Sequence, residues 1–453
     1  MKRFFAIALS LVPLVAWTQQ SPKWDIEQCI NYAIDNNIQV KQAVVSQQIS
    51  ELSVQQSKFD YIPTLGGQMG YNANFGRALD PTTYEYTSGK TVNNVNAGVS
   101  LSTTLFAGMQ KMHRLERAKL NLLSSIQDAE RIKNDITINI TASYLQALYN
   151  KEQIKTCLSQ IELLQEQLLR TKQLVDAGSM ALGALLELEA QKASESYNLV
   201  NYRNQLSTSL LSLKQLLELR GVPDFDIVEP QMGHLGLQDM AISDVEWVYE
   251  QGQSLPQIQY AKLRQEVAQA DLSIAKASMY PTLTASANYG SSFSDARQKP
   301  IMGPNGKTSY INYPFFGQLG DNASAAIGVQ LNIPMFNGLT AQRNIRVAKL
   351  NRLNAELGVT LAQDKLYQDV QKAYTDATGA RERFVSASSS VSSAELSFQY
   401  AEQKFSAGAT TSVEYNQAKN NLIAAQSMKI QAKYEYVFKI KLLDFYAGRH
   451  ITL

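Results

Sequence analysis

The sequence predicts a mixed α/β membrane protein, internally duplicated, in which four transmembrane β-strands continue into very long helices. Three observations predict it. Four segments alternate apolar with uncharged polar side chains over about ten residues, the length a tilted strand needs to cross a bilayer. Each pair of segments is followed by a proline-free helical stretch too long for a globule. The whole order of motifs then occurs a second time at fixed offsets.

The chain opens with Lys2 and Arg3, the apolar run Phe4 to Ala16, and the polar Thr18-Gln19-Gln20. This pattern reads as a signal peptide over residues 1–20, with an uncleaved anchor as the alternative. No cysteine follows directly to carry a lipid; the nearest is Cys29, inside a helical pattern. No later segment approaches about 18 consecutive apolar residues, so transmembrane helices are not expected. An exported chain of this kind is either soluble outside the cytoplasm or embedded as β-strands. The two cysteines, Cys29 and Cys157, form no disulfide framework, and His113, His234 and His450 have no metal-ligand spacing. A formal net charge of +2, matched by Lys2 and Arg3 alone, argues against a nucleic-acid partner. No nucleophile elbow, phosphate loop, metal cluster or acid pair is present, so neither an enzyme nor a cofactor is expected.

The duplication is read from aligned motifs. Asn37-Ile38-Gln39-Val40 aligns with Leu255-Pro256-Gln257-Ile258, and Ile62-Pro63-Thr64-Leu65 with Tyr280-Pro281-Thr282-Leu283, both at an offset of 218. Leu105-Phe106-Ala107-Gly108 aligns with Met335-Phe336-Asn337-Gly338, and Ala177-Gly178 with Ala407-Gly408, at an offset of 230. Two constant offsets mark one insertion in the second half. The expected plan is a first repeat over 21–220, a connector over 221–253 rich in Pro, Gly and acids (Pro223, Pro230), and a second repeat over 254–453.

Strands are expected at 64–75, 94–105, 282–293 and 322–333. In the first, Leu65, Met69, Tyr71, Ala73 and Phe75 share one face against Thr64, Gln68, Asn72 and Asn74. In the second, Val95, Ala97, Val99, Leu101 and Leu105 oppose Asn94, Asn96, Ser100, Ser102 and Thr104. A soluble sandwich alternates in the same way, but its outer face normally carries charge and its strands are shorter. Four strands cannot close a barrel, and an open edge cannot exist in lipid. Copies must therefore pool strands: two give eight, three give twelve.

The long helices are expected at 111–175 and 340–405, each roughly 100 Å at about 1.5 Å per residue. In the second, Val370, Ala377, Phe384, Val391, Phe398 and Phe405 recur every seven residues. Ala373, Ala380, Ala387, Ala394 and Ala401 lie between them, giving the 3.5-residue period of a left-handed supercoil. This stripe is core packing. Each rod reverses at a small-residue turn, Asp176-Ala177-Gly178-Ser179 and Ser406-Ala407-Gly408-Ala409. Return helices are expected at 182–219 and 412–446. The loops between paired strands, 76–93 and 294–321, are aromatic: Tyr84, Tyr86, Tyr310, Tyr313, Phe315 and Phe316 suit a girdle, a lid or a packed loop core. A soluble exported scaffold or adhesin is the competing function, and it leaves the strands unexplained.

In this duplicated order the sequence resembles the TolC-like outer-membrane efflux proteins over essentially the whole mature chain. The resemblance rests on Trp24-Asp25-Ile26-Glu27 through Asn36-Asn37, the two Pro-Thr-Leu strand starts, the two Phe-x-Gly strand ends, the Ala-Gly tips and Leu443-Asp444-Phe445-Tyr446-Ala447-Gly448. It implies a homotrimer with a 12-stranded barrel in outer-membrane lipid and a helical tunnel in the periplasm. Its partners would be a periplasmic adaptor and, through it, an inner-membrane pump that supplies the energy. Gly178, Ser179, Gly408 and Ala409 would contact the adaptor. Family channels close at the tip with acids just after the second turn, which points to Glu414. Gln417 stands where a second acid is expected, and Glu187 lies nearby in the first half. A ring of Glu414 would favour cations; a solvated acid at a helix start is the other reading.

Overall fold

The computed structural model describes residues 23–79, 86–87, 91–221, 225–230 and 242–451. The expected signal peptide, Tyr84, Pro223 and His234 lie outside the described residues. The first half contains α1 (Ile26–Asn36), α2 (Ile38–Phe59), β1 (Thr64–Asn74), β2 (Ala78–Leu79), β3 (Tyr86–Thr87), β4 (Val92–Ala107), α3 (Gln110–Asp176) and α4 (Leu182–Leu216). The second contains α5 (Val245–Gly252), α6 (Pro256–Ala277), β5 (Thr282–Ser294), β6 (Gln298–Met302) and β7 (Thr308–Asn312). It ends with α7 (Phe315–Asp321), β8 (Ser324–Asn332), α8 (Thr340–Ser406) and α9 (Ser412–Tyr446). The chain divides into a sheet unit, Val45–Gln127 with Gln257–Ala362, and a helical unit formed by the remainder.

In the sheet unit β1, β4, β5 and β8 form one antiparallel sheet in the order β1-β4-β5-β8. Its register lines up the central apolar residues across all four strands. Leu65 pairs with Leu101, Leu101 with Ala287, and Ala287 with Ile327. The adjacent row, Thr64, Ser102, Ser286 and Gly328, is polar or small throughout. Both halves pair identically: Thr64↔Ser102 becomes Thr282↔Asn332 on adding 218 to one partner and 230 to the other. A bulge at Leu105, between Thr104 and Phe106, shifts the end of β4 against β5. Within one chain β1 and β8 are open edges.

The segment 294–321 is more ordered than its turn-rich composition predicts. It holds the β6–β7 hairpin and α7, and a buried glutamine helps to tie α7 to β5. Gln318 is fully buried; its amide donates to the carbonyls of Ser294 and Tyr313 at 2.9 Å each and accepts from the Ser294 N–H at 3.0 Å. Phe315 packs on Phe293 of β5 with ring centroids 4.8 Å apart, so part of the aromatic set is loop core. Phe316, Tyr310 and Tyr86 are exposed.

In the helical unit the heptad stripe of α8 is buried from Val370 through Ala373, Ala377 and Ala380 to Phe384 and Val391. Phe384 stacks on Tyr436 of α9 at 6.0 Å. Asp25 starts α1 with a capping box to Gln28, leaving Cys29 and Ala33 on the buried face. The hydroxyl of buried Tyr144 donates to the Val228 carbonyl at 2.7 Å, beside the Trp24–Ile227 bridge. Burial pushes the thiols up, Cys29 to about 12 and Cys157 to about 11, and both are free. Among its described residues the connector stretch contains a helix that its composition hides, α5. Val248 and Gly252 of α5 are buried, and a Cβ on Gly252 would sit 3.1 Å from the Tyr446 carbonyl.

Candidate conduit and gate

The sheet offers two chemically distinct walls. On one face Leu65, Met69, Tyr71, Tyr289, Ile327 and Val329 are all exposed, a set that a soluble domain would bury. The opposite face presents Asn72, Asn94, Asn96, Asn288, Ser286 and Gln330, and none of the four strands carries an Asp, Glu, Lys, Arg or His. That face can hydrogen-bond water and solutes while holding no fixed charge.

Strands pass into helices through two matched turns. Gly108-Met109 have φ +58° and +64°, and Gly338-Leu339 have +62° and +64°. Glycine takes the first position in each without the strain that a side chain meets at such a φ. Gly108 is also crowded: an added Cβ would lie 2.7 Å from Tyr280 Cβ and 2.9 Å from the Ala277 carbonyl.

At the far ends of α3 and α8 the two tips share one geometry. Gly178 has φ +70°, and its N–H donates to Val175 at 2.9 Å while Ser179 donates to Leu174 at 2.8 Å. Gly408 has φ +70° as well, donating to Phe405 at 3.0 Å, with Ala409 donating to Lys404 at 2.8 Å. Both patterns satisfy the last helical carbonyls, and all four tip residues are exposed. Glu414 is exposed in the first turn of α9; its N–H donates to Thr411 Oγ1 at 3.3 Å, and its carboxylate accepts from the Thr410 hydroxyl. Gln417 is exposed and donates to Asn421 at 3.0 Å. Glu187 is half-buried on α4, and no ion pair among the described residues joins it to another group.

Beneath the second tip lies a polar group that sequence reading passed over. Lys419 is buried, and its ammonium donates to Gln167 Oε1 of α3 at 2.8 Å. The Gln167 amide in turn donates to the Tyr415 hydroxyl at 2.7 Å. Tyr415 stacks on Phe405 at 4.9 Å, and the buried Asn416 carries a side-chain oxygen without a hydrogen-bond partner. The signal was available: Tyr415, Lys419 and Leu422 follow the four-three spacing of a core stripe, so Lys419 falls where an apolar residue is expected.

Desolvation holds the Lys419 ammonium below the ordinary lysine value, opposed by Glu195 on α4. The unfolded chain therefore binds more protons than the folded one between that lowered value and the ordinary one, and stability climbs with pH across the window. Lys419→Met is expected to raise the unfolding free energy by about 1 kcal/mol at neutral pH, since a desolvated charge is replaced by an apolar chain of similar length. The gain should shrink as pH rises toward the lysine range. Thermal melts of both proteins from neutral pH upward check this; a destabilised variant, or a gain independent of pH, would refute it.

The sequence profile of the outer membrane efflux proteins matches residues 29–218 and 247–449. Among curated relatives, the outer membrane efflux protein BepC of Brucella suis is 22% identical over 437 residues, covering 96% of this chain and 88% of that protein. The outer membrane protein TolC of Escherichia coli is 22% identical over 452 residues, covering 96% and 84%. Among solved structures, CusC superposes with a TM-score of 0.78 at 15% identity, over 94% of this chain and 92% of that one. The outer membrane protein VceC of Vibrio cholerae gives 0.74 at 14% identity, over 94% and 97%.

Proposed function

The chain belongs to the outer membrane efflux protein family, and from that membership we propose that it is the exit duct of a tripartite efflux or secretion system. It sits in the outer membrane of a Gram-negative-type bacterium and extends into the periplasm, conducting solutes passively to the exterior. The family is one of channels, and the energy for transport comes from an inner-membrane pump joined through a periplasmic adaptor. The observation that carries this reading is the four-stranded sheet with one exposed apolar face, one uncharged polar face and two open edges. Such a sheet is stable in lipid only when copies close it into a ring. Three copies give twelve strands, within the range of known barrels, with the apolar face toward lipid and the polar face toward the lumen.

Detergent-solubilised protein should behave as a heat-labile trimer and form small, cation-preferring channels in a planar bilayer. A water-soluble monomer that never inserts would overturn the reading.

The exposed tips Gly178, Ser179, Gly408 and Ala409 form the adaptor-facing end in this proposal, and Glu414 lines the closure with Gln417 and Glu187 near it. Three Glu414 carboxylates facing one narrow lumen would lower its potential by a screened amount, on the order of 0.6 kcal/mol per unit charge. Because that potential acts with opposite sign on cations and anions, Glu414→Gln is expected to reduce the cation-to-anion permeability ratio about sevenfold. Reversal potentials under a salt gradient measure it, and an unchanged ratio would remove Glu414 from the pore.

A further inference from the structure

We infer that α7 is a lipid anchor: a short helix that lies outside the sheet wall and sinks Phe316 among the acyl chains of the outer leaflet. The inference rests on the membrane reading above and adds to it a loop element and the lipid it meets.

The duplication isolates this element. The insertion that changes the offset from 218 to 230 falls between β5 and β8, and among the described residues α7 has no counterpart in the first half. There β4 follows β1 to its last residue, Asn74↔Val92. In the second half β8 starts at Ser324 opposite Gly290, while β5 runs on to Ser294. The backbone of Ser292 and Ser294 on that side therefore has no strand to bond. α7 supplies partners instead. Gln318 accepts from the Ser294 N–H at 3.0 Å and donates to its carbonyl at 2.9 Å, and Asn322 donates to the Ser292 carbonyl at 2.6 Å. In an aqueous loop water could serve; a strand end at acyl depth needs donors and acceptors from the protein.

Alternation along β5 tells which side of the wall α7 occupies. Ser291 and Phe293 share a face with Ala287 and Tyr289, the apolar face of the sheet. Phe315 packs on Phe293, and Ser291 Oγ donates to the Leu319 carbonyl at 2.7 Å, so α7 lies on that face. It prolongs the row in which Tyr71 pairs with Val95 and Val95 with Phe293. Helical spacing puts Phe315, Leu319 and Phe316 within one arc of about 100°, with Gln318 turned to the strand edge. Phe316 is 83% exposed, its ring T-shaped against Phe315 at 5.3 Å. The helix carries no Asp, Glu, Lys or Arg before Asp321 at its end, which is held by Lys299 and by the Tyr313 hydroxyl. An apolar arc continuous with a lipid-facing sheet and closed by a charged end fits the acyl boundary, where Phe and Leu are the residues such helices bury.

The test places a nitroxide at Phe316→Cys, Asn305→Cys or Ile327→Cys of the full-length protein, in vesicles of phosphatidylethanolamine and phosphatidylglycerol. Cys29 and Cys157 are buried, and wild type carried through the same labelling measures what they take up. Oxygen concentrates among acyl chains, whereas a nickel chelate stays in water. The oxygen-to-nickel accessibility ratio at Phe316→Cys should exceed that at Asn305→Cys, in the hairpin turn, by at least about fivefold. Phe316→Trp keeps an aromatic ring and repeats the test: its emission, after subtraction of the wild type, should be blue-shifted and quenched at least about twofold by brominated lipid. Where the two readouts differ, the tryptophan decides. Water contact at Phe316 with lipid contact at Ile327 would overturn the anchor and leave the duct standing. Shielding of Phe316 from both reagents would overturn it equally, since protein would then cover the ring. Water contact at Ile327 as well would overturn the membrane reading beneath it.

Discussion

Arginine at Ile327 is expected to abolish assembly of the channel in the outer membrane. Ile327 is exposed on the apolar face, in the row that runs through Leu65, Leu101 and Ala287. A guanidinium directed into lipid from a barrel strand costs about 2–4 kcal/mol at the midplane, and a homo-oligomer incurs that cost once per copy. Ser286→Arg is the matched control: it precedes Ala287 on the same strand, pairs with Gly328, and projects from the opposite face. That variant should insert as a trimer and change only conductance. The amount of heat-modifiable trimer in outer-membrane fractions measures both. Equal damage from the two substitutions would show that the faces are not lipid and lumen.

The second large effect is expected at Gly108. Alanine there meets two costs: the left-handed backbone at φ +58°, about 1–2 kcal/mol for a residue with a Cβ, and a clash. The added carbon would sit 2.7 Å from Tyr280 Cβ, and relieving such overpacking costs about 1–3 kcal/mol. Gly338→Ala has the same backbone, φ +62°, but no neighbour within 4 Å in its own chain. Denaturant unfolding should therefore give about 2–5 kcal/mol of loss for Gly108→Ala and about 1–2 kcal/mol for protomers carrying Gly338→Ala. Met109 and Leu339 already occupy φ +64°, so left-handed backbone alone is tolerated at these junctions. If both glycine variants lost equal stability, the packing on Tyr280 would have no part in fixing the turn.

What could be read directly from the residues follows from periodicity. Strand faces were legible because β1, β4, β5 and β8 each separate apolar from uncharged polar side chains with period two. The stripe Val370, Ala377, Phe384 was legible because one helix face repeats every seven residues. Gly178 and Gly408 were legible because a helix that reverses tightly needs a left-handed residue. The features that escaped depend on contacts between distant segments. The bulge at Leu105 leaves the alternation of β4 unchanged up to Thr104 and is defined only by the partner strand. Gln318 looks like any loop glutamine until the carbonyls of Ser294 and Tyr313 are placed around it. The buried chain from Gln167 through Tyr415 to Lys419 joins residues about 250 positions apart, with separations of 248 and 252. Helix α5 was hidden by its neighbours, since eight residues give too few turns to stand out against the Pro- and Gly-rich stretch around it.

The uncharged polar face of the sheet also bears on throughput. A wall of Asn, Ser, Thr, Gln and Gly gives a passing molecule many weak, interchangeable hydrogen bonds and no deep electrostatic well in which to lodge. Residence at any point is then short, and chemically unlike molecules experience nearly the same friction. The lining of these four strands therefore adds little discrimination of its own between passing molecules.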